Sequence, residues 1–316
     1  MKSFSICLAG LLALAMPAAA GAQTFLMMPD STNNRLVLLD PFDGSIVNPN
    51  LFSLAGGTPI HALQVGSEIW VSEQIGDRVS RWDLSGTFLG QIGPTFTGGG
   101  LDNIRGMGLI GNTVYVTNAG TANGAPGAAV VMFDTAGNFM GSFGTATTAP
   151  SPFGVLGHSG GLLVSSSSAN DDIHRYTLTG TPLGTFHNST SLNFAQQMNF
   201  AANGDVLVSG FSSNNVVRLD PTSGTLLSSF AASGARGVIQ LGNGNILWTN
   251  STGVHIFNGT SSSQIYSGGG RYLDFVSFTP IPEPTGLAAL AAAVAASTGL
   301  GWRQRRRRHQ DSPTKR

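Results

Sequence analysis

Cysteine is almost absent from this chain of 316 residues: the only one, Cys7, lies close to the N-terminus. Downstream of it there can be no disulfide framework, no thiol nucleophile and no Cys-ligated zinc or iron–sulfur site. Charge is scarce too, at 10% of residues, and lysine is missing altogether between residues 23 and 280. That segment holds eight arginines against fourteen Asp and Glu, a net charge of −6. Neutralising phosphates takes clustered Lys and Arg, so the composition excludes a nucleic-acid-binding core. No amphipathic helical periodicity is visible in the middle, and nothing reads as a polytopic membrane protein. What the chain has in quantity is glycine, 43 residues, set among short β-rich runs.

The two ends read as addresses. Lys2, the apolar stretch Ile6 to Met16 and the small residues Ala20-Gly21-Ala22 have the order of a secretory signal peptide over residues 1–22, implying the Sec translocase and signal peptidase as partners. Pro17 and the small residues arrive too soon for a membrane anchor, and Cys7 precedes Leu8-Ala9-Gly10 instead of following such a run, so it leaves with the peptide. At the other end, Ile281-Pro282-Glu283-Pro284 precedes an Ala-rich apolar segment, 286–302, then Arg303, Arg305, Arg306, Arg307 and Arg308. The prolines end any preceding strand, the segment is at the lower limit for a transmembrane helix, and the arginines are expected to stay cytoplasmic. Residues 310–316 read as a disordered tail.

In that order, the three C-terminal parts resemble the PEP-CTERM sorting signal of bacterial envelope proteins. The resemblance spans residues 281–309 and implies export, transient anchoring in the inner membrane, processing near Pro282, Glu283 and Pro284 by an exosortase, and delivery to the cell surface or extracellular matrix. It also implies an exopolysaccharide or biofilm setting.

Residues 23–280 carry an internal repeat. A β-rich run ends in Asp, followed by a Gly turn and a second run, as in Val79-Ser80-Arg81-Trp82-Asp83 through Gly90 and Val130-Val131-Met132-Phe133-Asp134 through Gly141. The frame returns at Asp40, Thr177, Asp220 and Asn258, giving spacings of 43, 51, 43, 43 and 38 residues. Upstream of each hairpin lies another strand, as in Ile69-Trp70-Val71-Ser72, Val114-Tyr115-Val116-Thr117, Leu162 to Ser165, Val206 to Ser209 and Ile246-Leu247-Trp248-Thr249. With an inner strand before each (His61 to Val65, Arg105 to Ile110, Phe153 to Leu156, Gln197 to Ala201, Arg236 to Leu241), every unit has four strands, which is one propeller blade. The first unit has only three, Phe25 to Pro29, Arg35 to Asp40 and Ser45 to Asn48, and Tyr272 to Thr279 is left over at the end. The expectation is therefore an all-β, six-bladed propeller closed by a C-terminal strand. Tyr115-Val116-Thr117-Asn118, Arg105-Gly106 and Arg236-Gly237 resemble NHL and YVTN propeller repeats.

Propellers gather functional groups where the inner strands begin. Here those positions offer His61, Asp102, Asn103, Arg105, Gln196, Gln197, Arg236, Arg271 and Asp274 as channel-mouth binding candidates. One expectation is a binding or structural module without cofactor that meets a glycan, an exopolysaccharide or an envelope protein. The alternative is a metal-dependent lactonase or hydrolase similar to gluconolactonase and regucalcin, in which carboxylates and an Asn hold Ca²⁺ or another divalent cation that activates water. The core has only two Glu, Glu68 and Glu73, and neither is placed for that; Asp102, Asp274 and Asn103 are the remaining set. His61, His158, His174, His187 and His255 form no metal-ligand spacing, and Gly-His-Ser-Gly-Gly around His158 leads into a strand where a nucleophile elbow needs a helix. The recurring Asp residues read as turn formers, and Trp70, Trp82 and Trp248 as packing between blades.

Overall fold

The repeated Asp makes the turn that the repeat was read to need. Its Oδ1 accepts the backbone N–H two residues on and a further one beyond: Ser85 and Thr87 for Asp83, Ala136 and Asn138 for Asp134, Thr222 and Ser223 for Asp220, Phe42 and Asp43 for Asp40. Asn258 does the same for Thr260 and Ser261, and the Thr177 hydroxyl takes the Thr181 N–H. The glycine of each turn is left-handed, with φ of 88° at Gly86 and 91° at Gly137, a conformation that a side chain would strain.

These hairpins build six four-stranded antiparallel sheets in a computed structural model that describes residues 22–167 and 173–278. From the inside outwards, blade 2 runs Pro59–Val65, Glu68–Glu73, Arg78–Asp83, Phe88–Ile92. Blade 3 is Ile104–Ile110, Thr113–Asn118, Ala129–Asp134, Phe139–Gly144, and blade 4 is Pro152–His158, Gly161–Ser166, Ile173–Thr177, Pro182–His187. Blade 5 is Ala195–Phe200, Val206–Gly210, Asn215–Leu219, Leu226–Ala231, and blade 6 is Val238–Gln240, Ile246–Asn250, Gly253–Phe257, Ser262–Ser267. Blade 1 is shared between the chain ends: Asp274–Phe278 lies inside Gln23–Asp30, Arg35–Leu39 and Ile46–Ser53. The first strands of blades 2 to 6 touch in succession around the channel. The all-β, six-bladed propeller closed by a C-terminal strand is thus the fold, and Thr24–Ser277 forms one compact unit.

The spacing of 51 between Asp83 and Asp134 has a local cause, a small extra hairpin, Thr95–Phe96 with Gly99–Gly100, inserted before blade 3, together with a single 3-10 turn at Ala122–Gly124. Two of the strand boundaries that differ from the sequence reading bear on the channel. Arg236 precedes the strand Val238–Gln240, and Tyr272 precedes Asp274–Phe278, because both lie in irregular segments whose backbone bonds run to neighbouring strands. The Arg236 N–H donates to Thr249 O, and the Tyr272 N–H crosses to Ile60 O in blade 2.

The core lies between blades. Trp70 packs with Ile104, Val114 and Phe133 of blade 3, Trp248 with Leu207 and Val216 of blade 5, and Trp82 stacks on Phe52 of blade 1 with ring centroids 5.3 Å apart. Residues 1–21 and 279–316 lie outside the described residues, so the signal peptide, the Pro282-Glu283-Pro284 motif, the segment 286–302 and the arginines 303–308 have no structural account here. Among the described residues no helix is long and apolar enough to cross a membrane.

Candidate functional site: the channel mouth

The second strand of five blades ends its apolar run in Ser or Thr, and the structure gives the reason. Each of these hydroxyls, fully buried, ties its own blade to the inner-strand start of the next. Ser72 donates to Arg105 O at 2.5 Å and accepts the His61 N–H. Thr117 donates to Phe153 O at 2.9 Å, Ser165 to Gln196 O at 2.6 Å, Ser209 to Arg236 O at 2.6 Å and Thr249 to Arg271 O at 2.7 Å. In blade 1 the pairing Asp30↔Arg35, matched to Glu73↔Arg78 of blade 2, puts Pro29 in the hydroxyl's place. There the Tyr272 N–H bonds Ile60 O directly, at 3.0 Å.

These latches define two rings of equivalent residues. The upper ring is Arg271, Ile60, Arg105, Phe153, Gln196 and Arg236, one from each blade in order. The lower is Tyr272, His61, Gly106, Gly154, Gln197 and Gly237. In blades 2 to 5 the ladder register breaks at this pair, between Pro59 and His61, Ile104 and Met107, Pro152 and Val155, and Ala195 and Met198. Such bulges re-aim side chains that a regular strand would send to opposite faces.

The lower ring sets three large side chains among three glycines. A Cβ on Gly106 would lie 2.4 Å from Phe153 O and 3.2 Å from the Tyr272 ring, and one on Gly237 would lie 2.5 Å from Arg271 O and 3.1 Å from Gln197 Oε1. Glycine at these places leaves the space to Tyr272, His61 and Gln197, all buried. Gln197 reaches past blade 6: Oε1 accepts the Val238 and Leu273 N–H groups at 3.0 Å, and Nε2 donates to Leu273 O at 2.6 Å. His61 Nδ1 accepts the Met107 N–H at 3.0 Å, which puts the ring proton on Nε2, 3.4 Å from Asp274 Oδ2, and the imidazole edge meets Tyr272 at 5.5 Å.

Of the sequence-derived candidates, Arg105, Gln196, Arg236 and Arg271 occupy the upper ring, His61 the lower one, and Asp274 faces His61. Asp102 and Asn103 are engaged elsewhere. Asp102 Oδ2 accepts the Ala122 N–H at 2.7 Å, while Asn103, left-handed at φ 54°, accepts from Gln74 at 2.7 Å and donates its N–H to Asp77 at 2.8 Å. The trio Asp102, Asn103 and Asp274 is therefore held by three different sets of partners. Among the described residues no three His, Cys, Asp or Glu side chains come together as a metal site.

Sequence reasoning missed Tyr272, read only as part of the closing strand. Its hydroxyl is buried, has no hydrogen-bond partner among the described residues, and stands within electrostatic reach of Arg105, Arg271 and Arg236. Burial raises its pKa strongly, and the three guanidinium charges only moderate that, so the phenol is neutral and able to donate. Burial lowers Arg105 to about 10; burial, and after it the charge of Arg236, lowers Arg271 to about 10. All three arginines remain cationic at neutral pH. Arg105 donates to Ser151 Oγ and Pro152 O and lies 3.8 Å over the Phe153 ring; Arg271 donates to Ser31 Oγ at 2.8 Å; Arg236 lies 5.7 Å over Phe211. Such a set holds negative charge and moves no proton at neutral pH.

The structure is similar to a protein of unknown function from Bacteroides caccae, with a TM-score of 0.60, 15% identity, and 80% of this chain and 98% of that one covered. It is also similar to a chain in the nidogen/laminin complex, with a TM-score of 0.66, 13% identity and 80% and 98% coverage. A third similar structure is the virginiamycin B lyase of Staphylococcus aureus, with a TM-score of 0.53, 14% identity, and 74% of this chain and 78% of the lyase covered. At such identities the likeness shows the fold alone. No family model matches the chain, and no curated protein matches it.

Proposed function

We propose that the protein is exported and sorted to the cell surface or extracellular matrix, where its propeller acts as a binding module with the ligand seated in the upper ring of the channel mouth. The observation that supports this most is the ring itself: three arginines and Gln196 at equivalent positions, above a level filled by Tyr272, His61 and Gln197. It is suited to holding a group and not to transforming one, since arginine exchanges no proton at neutral pH. The export route rests on the terminal segments: Sec and signal peptidase at residues 1–22, an exosortase at Pro282, Glu283 and Pro284, and passage through the inner membrane between them. An exopolysaccharide or an envelope protein is the partner class that such a location supplies.

Cell fractionation tests the route. Wild-type protein should appear shortened in the surface or medium fraction, and a variant carrying Pro282→Ala, Glu283→Ala and Pro284→Ala should accumulate at full length in the inner membrane. Equal release of both would leave the segment as a plain tail anchor. The second reading, a metal-dependent hydrolase or lactonase, draws on Asp274, whose carboxylate beside His61 Nε2 could serve as a general base. Lactone turnover dependent on Ca²⁺, Mg²⁺, Mn²⁺ or Zn²⁺ and abolished by Asp274→Ala or Asp102→Ala would put that reading first.

A further inference from the structure

We infer that the channel mouth is an anion site, and that its ligand is a compact oxyanion, a carboxylate or a sulfate, borne on a sugar ring whose apolar face rests on Phe194 and Phe211. The inference deepens the binding reading above and rests on it. It starts from the pairing of arginines. Among the eight in residues 23–280, Arg35, Arg78, Arg81 and Arg218 each hold a carboxylate, on Asp30, Glu73, Glu68 and Asp205. Arg105, Arg175, Arg236 and Arg271 have no carboxylate within ion-pair distance among the described residues; Arg175 donates to Thr222 O, and the other three are within electrostatic reach of Tyr272.

A protein with a net charge of −6 over this segment has carboxylates in excess, yet among the described residues none pairs with these three arginines, and Asp274 faces His61 instead. Three desolvated cations, two of which (Arg236 and Arg271) repel each other, and a buried hydroxyl without a partner among the described residues are costly to assemble. The same arrangement is pre-organised for one oxyanion, which would accept from the phenol and from the guanidinium forks together. The Nε groups of Arg105 and Arg236, like that of Arg175, are also buried without a partner among the described residues.

A second observation gives the ligand its other half. From Arg105 the Phe153 ring leads to Phe194, centroids 4.8 Å apart, then to Phe211 at 5.0 Å, and Arg236 closes the series over Phe211. Phe194 is held at φ 58°, where a bulky residue is rare and strained. Its turn is fixed from outside, since the Phe211 N–H donates to Phe194 O and the Ser212 and Ser213 N–H groups to Asn193 O. Phe194 and Phe211 stay half-buried, beside exposed Asn193 and Ser212. An aromatic face flanked by cations and hydrogen-bonding loops suits a ring with one apolar face, several hydroxyls and an acid group.

Titration calorimetry on the full-length protein in detergent, with trigalacturonate, maltotriose and inorganic sulfate as probes, tests this. Trigalacturonate should bind at least about tenfold more tightly than maltotriose, and more weakly as salt rises. Arg236→Gln and Arg271→Gln should each weaken it about tenfold or more, the loss of one charge-assisted bond. Phe194→Ala should weaken trigalacturonate and spare sulfate. Arg236→Gln removes no side-chain hydrogen bond among the described residues, so it stays informative if Arg271→Gln misfolds. Sulfate binding as tight as trigalacturonate, and lost in the same variants, supports the oxyanion site and overturns the sugar-ring half. Absence of binding by both anions, or arginine variants with unchanged melting that bind as the wild type does, overturns the site. Maltotriose binding removed by Phe194→Ala and untouched by Arg236→Gln sinks the anion inference and leaves the binding reading standing, whereas lactone turnover sinks the reading itself.

Discussion

Changing Tyr272 to Phe removes one buried oxygen that has no partner among the described residues and feels the charge of three arginines. An unsatisfied buried hydroxyl costs about 1–3 kcal/mol, so Tyr272→Phe should raise the melting temperature of the ligand-free protein by roughly 2–6 °C for a domain of this size. A melting point that falls by several degrees would mean that the hydroxyl is bonded in solution and holds the fold. At this scale the sequence was legible where chemistry and frame coincide. Arg105 and Arg236 announce themselves as Arg-Gly at the start of inner strands, and His61 as the polar residue at the same place. Tyr272 did not, because its position among Arg105, Arg236 and Arg271 follows from joining chain segments more than 160 residues apart in the case of Arg105. What Asp102 bonds was hidden for a related reason: a carboxylate just ahead of an inner strand can accept a loop N–H, here that of Ala122.

The elements are held by side chains that the repeat carries but that no single strand explains. The Ser or Thr ending each second strand was visible as a recurrence and silent as to purpose, since its partner is the next blade. Asp30 is the strongest case of this kind. Its buried carboxylate accepts from Thr32, Asn33 and Gly269 N–H groups, from Asn33 Nδ2, from Arg35, and from Tyr266 Oη at 2.5 Å, so it joins the end of blade 6 to blade 1. Burial works to raise its pKa, but the bonds from Asn33, Tyr266 and Gly269 together outweigh it and hold the pKa below the ordinary 3.8. A lowered carboxylate stabilises the fold at every pH above its unfolded value, and that stability is lost as pH falls below about 4 through the folded value. The wild type should therefore lose stability steeply below pH 4. Asp30→Asn should lose about 3 kcal/mol or more at neutral pH, as breaking a buried pair does, and show a shallower acid limb. Thermal melts from pH 7 to pH 2.5 check this; parallel curves for the two proteins would show that Asp30 is not a source of the acid sensitivity.

At the scale of the molecule, the count of strands settled the topology before any contact was known: a first unit with three strands and a surplus strand at the end can share one blade. What the count left open was how tightly the ends are joined. The closing segment buries Tyr272, Leu273 and Val276 almost completely, and Leu273 packs with Leu26, Met28, Ile239 and Leu247 across blades 1 and 6. Burying three such side chains contributes on the order of 5 kcal/mol, comparable with the whole stability of many domains. The ladder to Gln23–Asp30, the Gln197 bonds to Leu273 and the Tyr272–Ile60 bond add to it. Without the segment, the strand Gln23–Asp30 becomes an open edge in a fold whose other inner positions are all covered. A chain ending at Gly270 should therefore melt far below one ending at Pro280, or without a cooperative transition. A synthetic peptide of residues 271–280 added in excess should restore part of the loss, because a strand that binds only the folded ring stabilises it by mass action. If the two truncated chains melt within a few degrees of each other and the peptide changes neither, the ring is held by its five continuous blades, and the strand Asp274–Phe278 is an ornament on a channel that is closed without it.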